Sequence, residues 1–387
     1  MSRRHTVLRI VRLLLLLAAA LLAAEAALRL VRLGPSRAAF GRWQPRTRWS
    51  EIRTLDERGA SPRPGGRARW ALQAGSPEIE YRLDAHGFRV AADATPRRGG
   101  CRVLAIGDSN VFGYGVAAED SFPAILETLL LARGVDAEVR NAGVCASDVA
   151  QQERWLETAV ERASPQVVVL AVSPWSLRTD RPQGRADLTL VEKLADALVR
   201  TTASPAAWSA VVDRTRRRLL HGLGAFTSWL PTSDAAWHLA PLLEPRSEFD
   251  LRFAEAAGHV RQMVERSRAR NLTPLLVLVP VDVQTTTSRN HLYAAERLPY
   301  PSWGFVDRDY TRDPRYADGM ARLAKALAVP LIDVTERLVT HASGSYLQDD
   351  YHLSEAGHRR IAEEITAPVR DACLAGAVAS GSQRAIP

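Results

Sequence analysis

From residue 101 onward the apolar positions cluster into short unbroken runs, the pattern of strands buried on both faces. They fall at 103–106, 167–172, 275–279 and 330–332, with a weaker one at 137–140. Between them the apolar spacing becomes helical, at 121–133, 149–163, 253–270 and 317–328, and a last helix is expected over 354–373. Strands alternating with helices predict an α/β domain over 101–373: a doubly wound, mostly parallel five-stranded sheet with helices on both faces. In such sheets ligands gather at the carboxyl ends of the strands. Chemistry is therefore expected just after 106, 140 and 172, and in the loop before the last helix.

The remaining segments break this pattern. Residues 34–69 are rich in Arg, Pro and Gly and read as an irregular linker, and 70–90 alternate around Ile79-Glu80-Tyr81-Arg82-Leu83, which predicts a small β decoration. Residues 173–252 interrupt the alternation with two helical stretches and a piece holding Trp229 and Trp237. That insertion is expected to be a structural subdomain beside the core, with a lid or acyl-binding wall as the alternative. A polar tail, 374–387, is expected to close the chain, and no internal repeat is present.

The N-terminus follows different rules. Arg3, Arg4, Arg9 and Arg12 precede an apolar run over 13–24, the layout of an export signal. Ala24-Glu25-Ala26 fits a cleavage site, yet apolar residues continue through Leu33, with Glu25, Arg29 and Arg32 on one helical face. An uncleaved signal anchor over 1–33 is expected, with a cleaved signal peptide as the alternative. Either reading puts the body of the protein outside the cytoplasm, because the positive flank stays inside. Charge then changes its meaning. The chain carries +8 overall, but residues 1–48 hold ten Arg against Glu25 alone, so the rest is close to neutral. The basicity belongs beside the membrane, and nucleic acid is not expected as a partner.

Two short blocks carry candidate chemistry. The first apolar run ends in Gly107-Asp108-Ser109-Asn110, a sharp turn that can present a serine hydroxyl at the sheet's carboxyl edge. Far along the chain, Gln348-Asp349-Asp350-Tyr351-His352-Leu353-Ser354 leads into the last helix. Asp349 and His352 are three apart, so one turn can aim the carboxylate at one imidazole nitrogen and leave the other for a serine. Asp350 is adjacent, and only spacing favours Asp349. His358, further along, is expected to face solvent or packing.

Together these blocks resemble the SGNH/GDSL hydrolase family of bacterial envelopes. Gly107-Asp108-Ser109 and Asp349-x-x-His352 stand where that family has its first and last signatures. Asn141-Ala142-Gly143-Val144 is similar to the second. The resemblance covers about 80–370 and implies a flavodoxin-like fold, an acyl-enzyme mechanism and no cofactor. It implies Ser109 as nucleophile, His352 as base and Asp349 as the acid orienting it, with the amides of Ser109 and Gly143 holding the oxyanion. One block departs: where the family carries Gly-x-Asn-Asp, this chain has Ser173-Pro174-Trp175. Ser173 is the aligned position and could donate through its hydroxyl, with a structural turn as the alternative.

With that fold, Cys101 begins a strand at the edge opposite the site and Cys373 ends a helix returning to the same edge. Cys101–Cys373 is then the pair a disulfide could join, two free thiols being the alternative, while Cys145 is expected to be a buried thiol. A metal site from Asp349, Asp350, His352 and His358 finds no second cluster to complete a shell. Residues 107–115 have neither dinucleotide nor phosphate-loop spacing. The expected function is hydrolysis of an acyl ester of an envelope saccharide or lipid. The alternatives are O-acyl transfer to an envelope polysaccharide, and a non-catalytic envelope-binding protein on the same fold.

Overall fold

A computed structural model describes residues 51–56, 59–70, 78–92, 100–177, 246–285, 314–342, 344–347 and 352–383, together with Leu16, Leu17, Ala19, Ala20 and Ala23. Five parallel strands form the centre: β6 (Cys101–Gly107), β7 (Ala137–Gly143), β8 (Val167–Val172), β9 (Thr273–Leu278) and β10 (Leu331–Asp333). Their order across the sheet is β7-β6-β8-β9-β10, so the direction of winding reverses between β6 and β8. Ligands collect beyond the strand ends at that reversal.

The Val- and Leu-rich strands form because each side chain has a core to enter. On one face Leu104, Ile106, Val168, Leu170, Leu276 and Leu278 meet α3 (Val149–Ala163), α4 (Arg246–Ala269) and α5 (Arg315–Leu327). On the other, Val103, Ala105, Val167, Val169, Leu275 and Val277 meet α2 (Phe122–Ala132), α6 (Thr335–Thr340) and α7 (Glu355–Gln383). The alternation along each strand sorts neighbours onto opposite faces, so two cores share one sheet. Cys101 and Cys373 are joined in a disulfide with Cα atoms 5.7 Å apart, tying the start of β6 to α7 across 272 residues of chain. Cys145 is buried and free.

The sheet is wider than five strands. β3 (Arg67–Trp70), β4 (Ile79–Leu83) and β5 (Arg89–Val90) continue it antiparallel beyond β7, giving eight strands among the described residues. β5 joins the parallel part at one register pair, Arg89 with Asn141. β1 (Arg53–Asp56) and β2 (Gly59–Pro62) form a separate antiparallel pair. Part of the segment read as linker is thus strand, because Ile52, Ala68, Tyr81 and Leu83 find a small core of their own against Phe112 and Cys145. α7 runs ten residues past Cys373, so most of the expected polar tail is helical. The expected helices at 187–201 and 206–220 and most of the N-terminal segment lie outside the described residues. Among the described residues no helix is long and apolar enough to cross a membrane.

Candidate active site

β6 stops at Gly107, and the next residues form a one-turn helix, α1 (Ser109–Phe112). Asp108 caps it: its side chain accepts the Asn110 amide at 2.8 Å, and its carbonyl accepts the Phe112 amide at 3.0 Å. This cap sets Ser109 as the first helical residue, at the carboxyl edge of β6 and beside the winding reversal. The amide of a first helical residue has no intrahelical acceptor.

The partner comes from 243 residues away. His352 lies on a tight loop closed by the bridge between Tyr346 and Leu353, by Leu347 N–H donating to His352 O at 2.8 Å, and by Ser354 N–H donating to Ser345 O at 3.0 Å. Tyr346 Oη anchors the loop to Pro280 O, just beyond β9, at 3.1 Å. The result is a 2.9 Å contact between His352 Nε2 and Ser109 Oγ, both residues being buried. An imidazole so placed can take the hydroxyl proton as the oxygen attacks a carbonyl carbon. Asp349 and Asp350 lie outside the described residues.

Two expected oxyanion donors are occupied. The Gly143 amide donates to Asn141 Oδ1 at 3.0 Å, while Asn141 Nδ2 donates to Val111 O at 2.9 Å. Gly143 is there for closeness: a Cβ on it would lie 2.1 Å from the Phe112 nitrogen. Its amide is thus paired with a side chain of its own strand. The Ser173 hydroxyl donates to Asp108 Oδ2 at 2.5 Å, and its amide donates to Ser176 Oγ at 2.8 Å. Ser173 thus braces the acid before the nucleophile, which is the structural alternative to a donor role. Burial pushes the Asp108 carboxyl above its ordinary range, against the lowering pull of its hydrogen bonds from Ser173 and Asn110.

His358 is fully buried. Its Nδ1 accepts the Phe122 amide at 3.3 Å, its ring stacks on Phe122, and burial pushes its pKa down to about 3. Packing, not solvent, is its setting. His352 and His358 are therefore each committed to a separate contact, and among the described residues no group of His, Cys, Asp and Glu could hold a metal ion.

Three neighbours of the site were not anticipated. Tyr114 stacks on the His352 ring with centroids 4.1 Å apart, and Trp175 approaches the same ring at 5.8 Å. Arg89 reaches the carbonyls behind α1. Tyr114 has a visible signal, its place between Gly113 and Gly115, whereas an Arg on the two-residue strand β5 has none. A concavity beyond β9 and β10, lined by Leu278, Pro280, Gln284, Tyr316, Asp333 and Glu336, contains neither Ser109 nor His352. The side-chain chemistry, not the hollow, locates the site.

Comparison with known proteins bears on the family and not on the geometry. Residues 105–360 match the family model described as GDSL-like Lipase/Acylhydrolase family. No curated protein matches the chain. Among solved structures it is similar to a lipase/acylhydrolase from Enterococcus faecalis, at 13% identity and TM-score 0.39, over 70% of this chain and 96% of that one. It is also similar to an acetyl xylan esterase, AlAXEase, at 16% identity and TM-score 0.38, over 69% and 99%. A third is the psychrotrophic esterase EstA from Pseudoalteromonas sp., at 12% identity and TM-score 0.37, over 70% and 97%. Likeness at this distance says nothing of substrate.

Proposed function

The chain belongs to the GDSL-like Lipase/Acylhydrolase family, and on that premise we propose that it cleaves an acyl ester through an acyl-enzyme on Ser109, outside the cytoplasm. Such a hydrolase needs a serine whose proton has somewhere to go. The 2.9 Å contact between His352 Nε2 and Ser109 Oγ is the observation that carries the reading.

In the first half-reaction Ser109 Oγ attacks the carbonyl carbon while His352 Nε2 takes its proton. The tetrahedral species collapses, the C–O bond to the alcohol breaks, and His352 returns the proton to the departing oxygen. In the second half, water gives a proton to His352 as it attacks the acyl carbon. The acid departs and Ser109 recovers its proton. Asp349, three residues before His352 in sequence, is assigned to Nδ1, where a carboxylate fixes the tautomer and stabilises the imidazolium. The Ser109 amide is assigned to the oxyanion.

Two features support an extracytoplasmic setting. Arg3, Arg4, Arg9 and Arg12 stand before the apolar run 13–24. The Cys101–Cys373 disulfide is of the kind that persists in oxidising compartments. An acylated saccharide or lipid of the cell envelope is the substrate class an exported enzyme of this family would meet. Turnover of p-nitrophenyl acetate by the full-length protein, beside Ser109→Ala, tests the reading. The substitution should lower kcat by at least about 10³-fold, and equal turnover by the two proteins would refute it. Adding a saccharide acceptor then separates water from a sugar hydroxyl as the group that takes the acyl chain.

A further inference from the structure

The antiparallel extension β3-β4-β5 lies outside the doubly wound core, yet its buried polar groups converge on one short segment, residues 112–116. Arg89 is 5% exposed, and its guanidinium donates to three carbonyls. Nη1 bonds Phe112 O, and Gly113 O at 2.5 Å, while Nη2 bonds Val116 O at 2.6 Å. The same group lies over the Tyr81 and Phe112 rings, 4.9 and 4.7 Å from their centroids. Burial lowers its pKa to about 10, so it remains cationic at neutral pH and its bonds are charge-assisted. From β4, Tyr81 Oη accepts the Gly115 amide at 2.8 Å.

One side chain within this segment faces the site. Tyr114 stands between Gly113 and Gly115, whose φ angles of 81° and 83° are open to glycine and strained for other residues. Its amide donates to Ser109 O at 3.0 Å, tying it to the nucleophile's own backbone. Its ring lies against the imidazole of His352, with an interplanar angle of 29°. Rotation about the last torsion of a histidine is broad in the absence of such contacts. A ring held flat against the imidazole narrows that rotation and keeps Nε2 aimed at Ser109 Oγ. It also presents a negative π face to the imidazolium that forms when the proton moves.

We propose that Tyr114 is a positioning residue for the base His352, held in place by Arg89 and Tyr81 of the antiparallel extension. The proposal rests on the Ser109–His352 reading above. It gives the extension a place in the reaction: β4 and β5 brace the 112–116 segment, and that segment braces the base.

The test compares Tyr114→Phe, Tyr114→Leu and Tyr81→Phe with wild type and Ser109→Ala. Arg89 itself is left intact, because its loss would strand three buried carbonyls and unfold the loop. Two readings are taken on each: kcat and KM on p-nitrophenyl acetate, and the NMR shifts of the His352 ring protons, assigned by their absence from His352→Asn. A face-on ring moves those protons upfield. Tyr114→Phe should keep the upfield shift and stay within about threefold of wild-type kcat, since the ring and not the hydroxyl does the positioning. Tyr114→Leu should lose the shift and lower kcat by about 10–100-fold with KM changed by less than about twofold. Tyr81→Phe, which removes the acceptor for the Gly115 amide, should lower kcat by about 3–10-fold. The proposal is overturned if Tyr114→Leu keeps wild-type kcat, if Tyr114→Phe is as poor as Tyr114→Leu, or if the ring protons do not move. A different failure identifies a wrong nucleophile: Ser109→Ala would then retain turnover, and the base role of His352 would fall with it.

Discussion

The Ser173 hydroxyl donates to Asp108 Oδ2 at 2.5 Å, joining the end of β8 to the acid that caps the nucleophile's helix. Both residues are buried, so the bond satisfies the carboxylate oxygen that the Asn110 amide leaves unpaired. A hydroxyl committed in this way braces the turn and is not offered to an oxyanion. Ser173→Ala should therefore lower folding stability by about 1–3 kcal/mol. Its kcat/KM should stay within about tenfold of wild type, whereas loss of an oxyanion donor would lower it by about 10²–10³-fold. Urea unfolding and ester kinetics on the same preparation check both halves.

Asp108 also gives stability a pH dependence of definite sign. Its carboxyl is raised above the ordinary carboxylate value of 3.8, with burial the largest cause. A group raised on folding contributes stability that is fully present below its unfolded pKa and is lost as pH rises through its folded pKa. Asp108→Asn should remove that loss. Urea midpoints from pH 4 to 8 should show wild type losing ground to Asp108→Asn as pH rises; parallel curves would contradict the burial of a costly charge here.

His358 acts in the opposite direction. Its pKa falls from 6.5 to about 3, chiefly through burial, with Arg89 and His352 adding to the drop. Its contribution is present above pH 6.5 and is lost as pH falls toward 3, because the unfolded chain takes up a proton that the folded one refuses. His358→Asn retains an acceptor for the Phe122 amide and should lose less stability than wild type between pH 6.5 and 4. Thermal melts across that window are the check.

The disulfide spans most of the domain. Closing 272 residues of chain restricts the unfolded state, and replacing Cys373 by Ser should lower stability by about 2–4 kcal/mol. The bridge lies at the amino end of β6 and Ser109 beyond its carboxyl end, so turnover at 25 °C should be unchanged. Chemical denaturation with and without reductant, beside an ester assay, measures both quantities.

The parts of this protein that could be read in its sequence are those where one physical demand acts on many consecutive residues. Strand β8, Val167–Val172, is buried along its whole length, and such a run has few other interpretations. Topology put Cys101 and Cys373 at the same amino edge, which left a bridge between them open, and the structure forms it. Ser109 and His352 stood out because each lies in a block that resembles a family signature, and the structure brings them within 2.9 Å. The contacts that finish the site did not, because they link positions with no pattern of their own. Ser173 meets Asp108 across 65 residues, and Arg89 meets Gly113 across 24. Gly143 is a related case. Its block is visible, but whether its amide faces a substrate or Asn141 Oδ1 depends on a side-chain rotamer. Three of the four residues of β3, Arg67–Trp70, were taken for linker because they become a strand only by pairing with β4.

The central claim is that His352 activates Ser109, and the most direct measurement is the rate at which a fluorophosphonate labels the protein, followed by intact mass and peptide mapping. A single adduct on Ser109 is expected, formed at least about 10³-fold more slowly in His352→Ala. An adduct on another residue, or equal labelling of wild type and His352→Ala, would contradict the account.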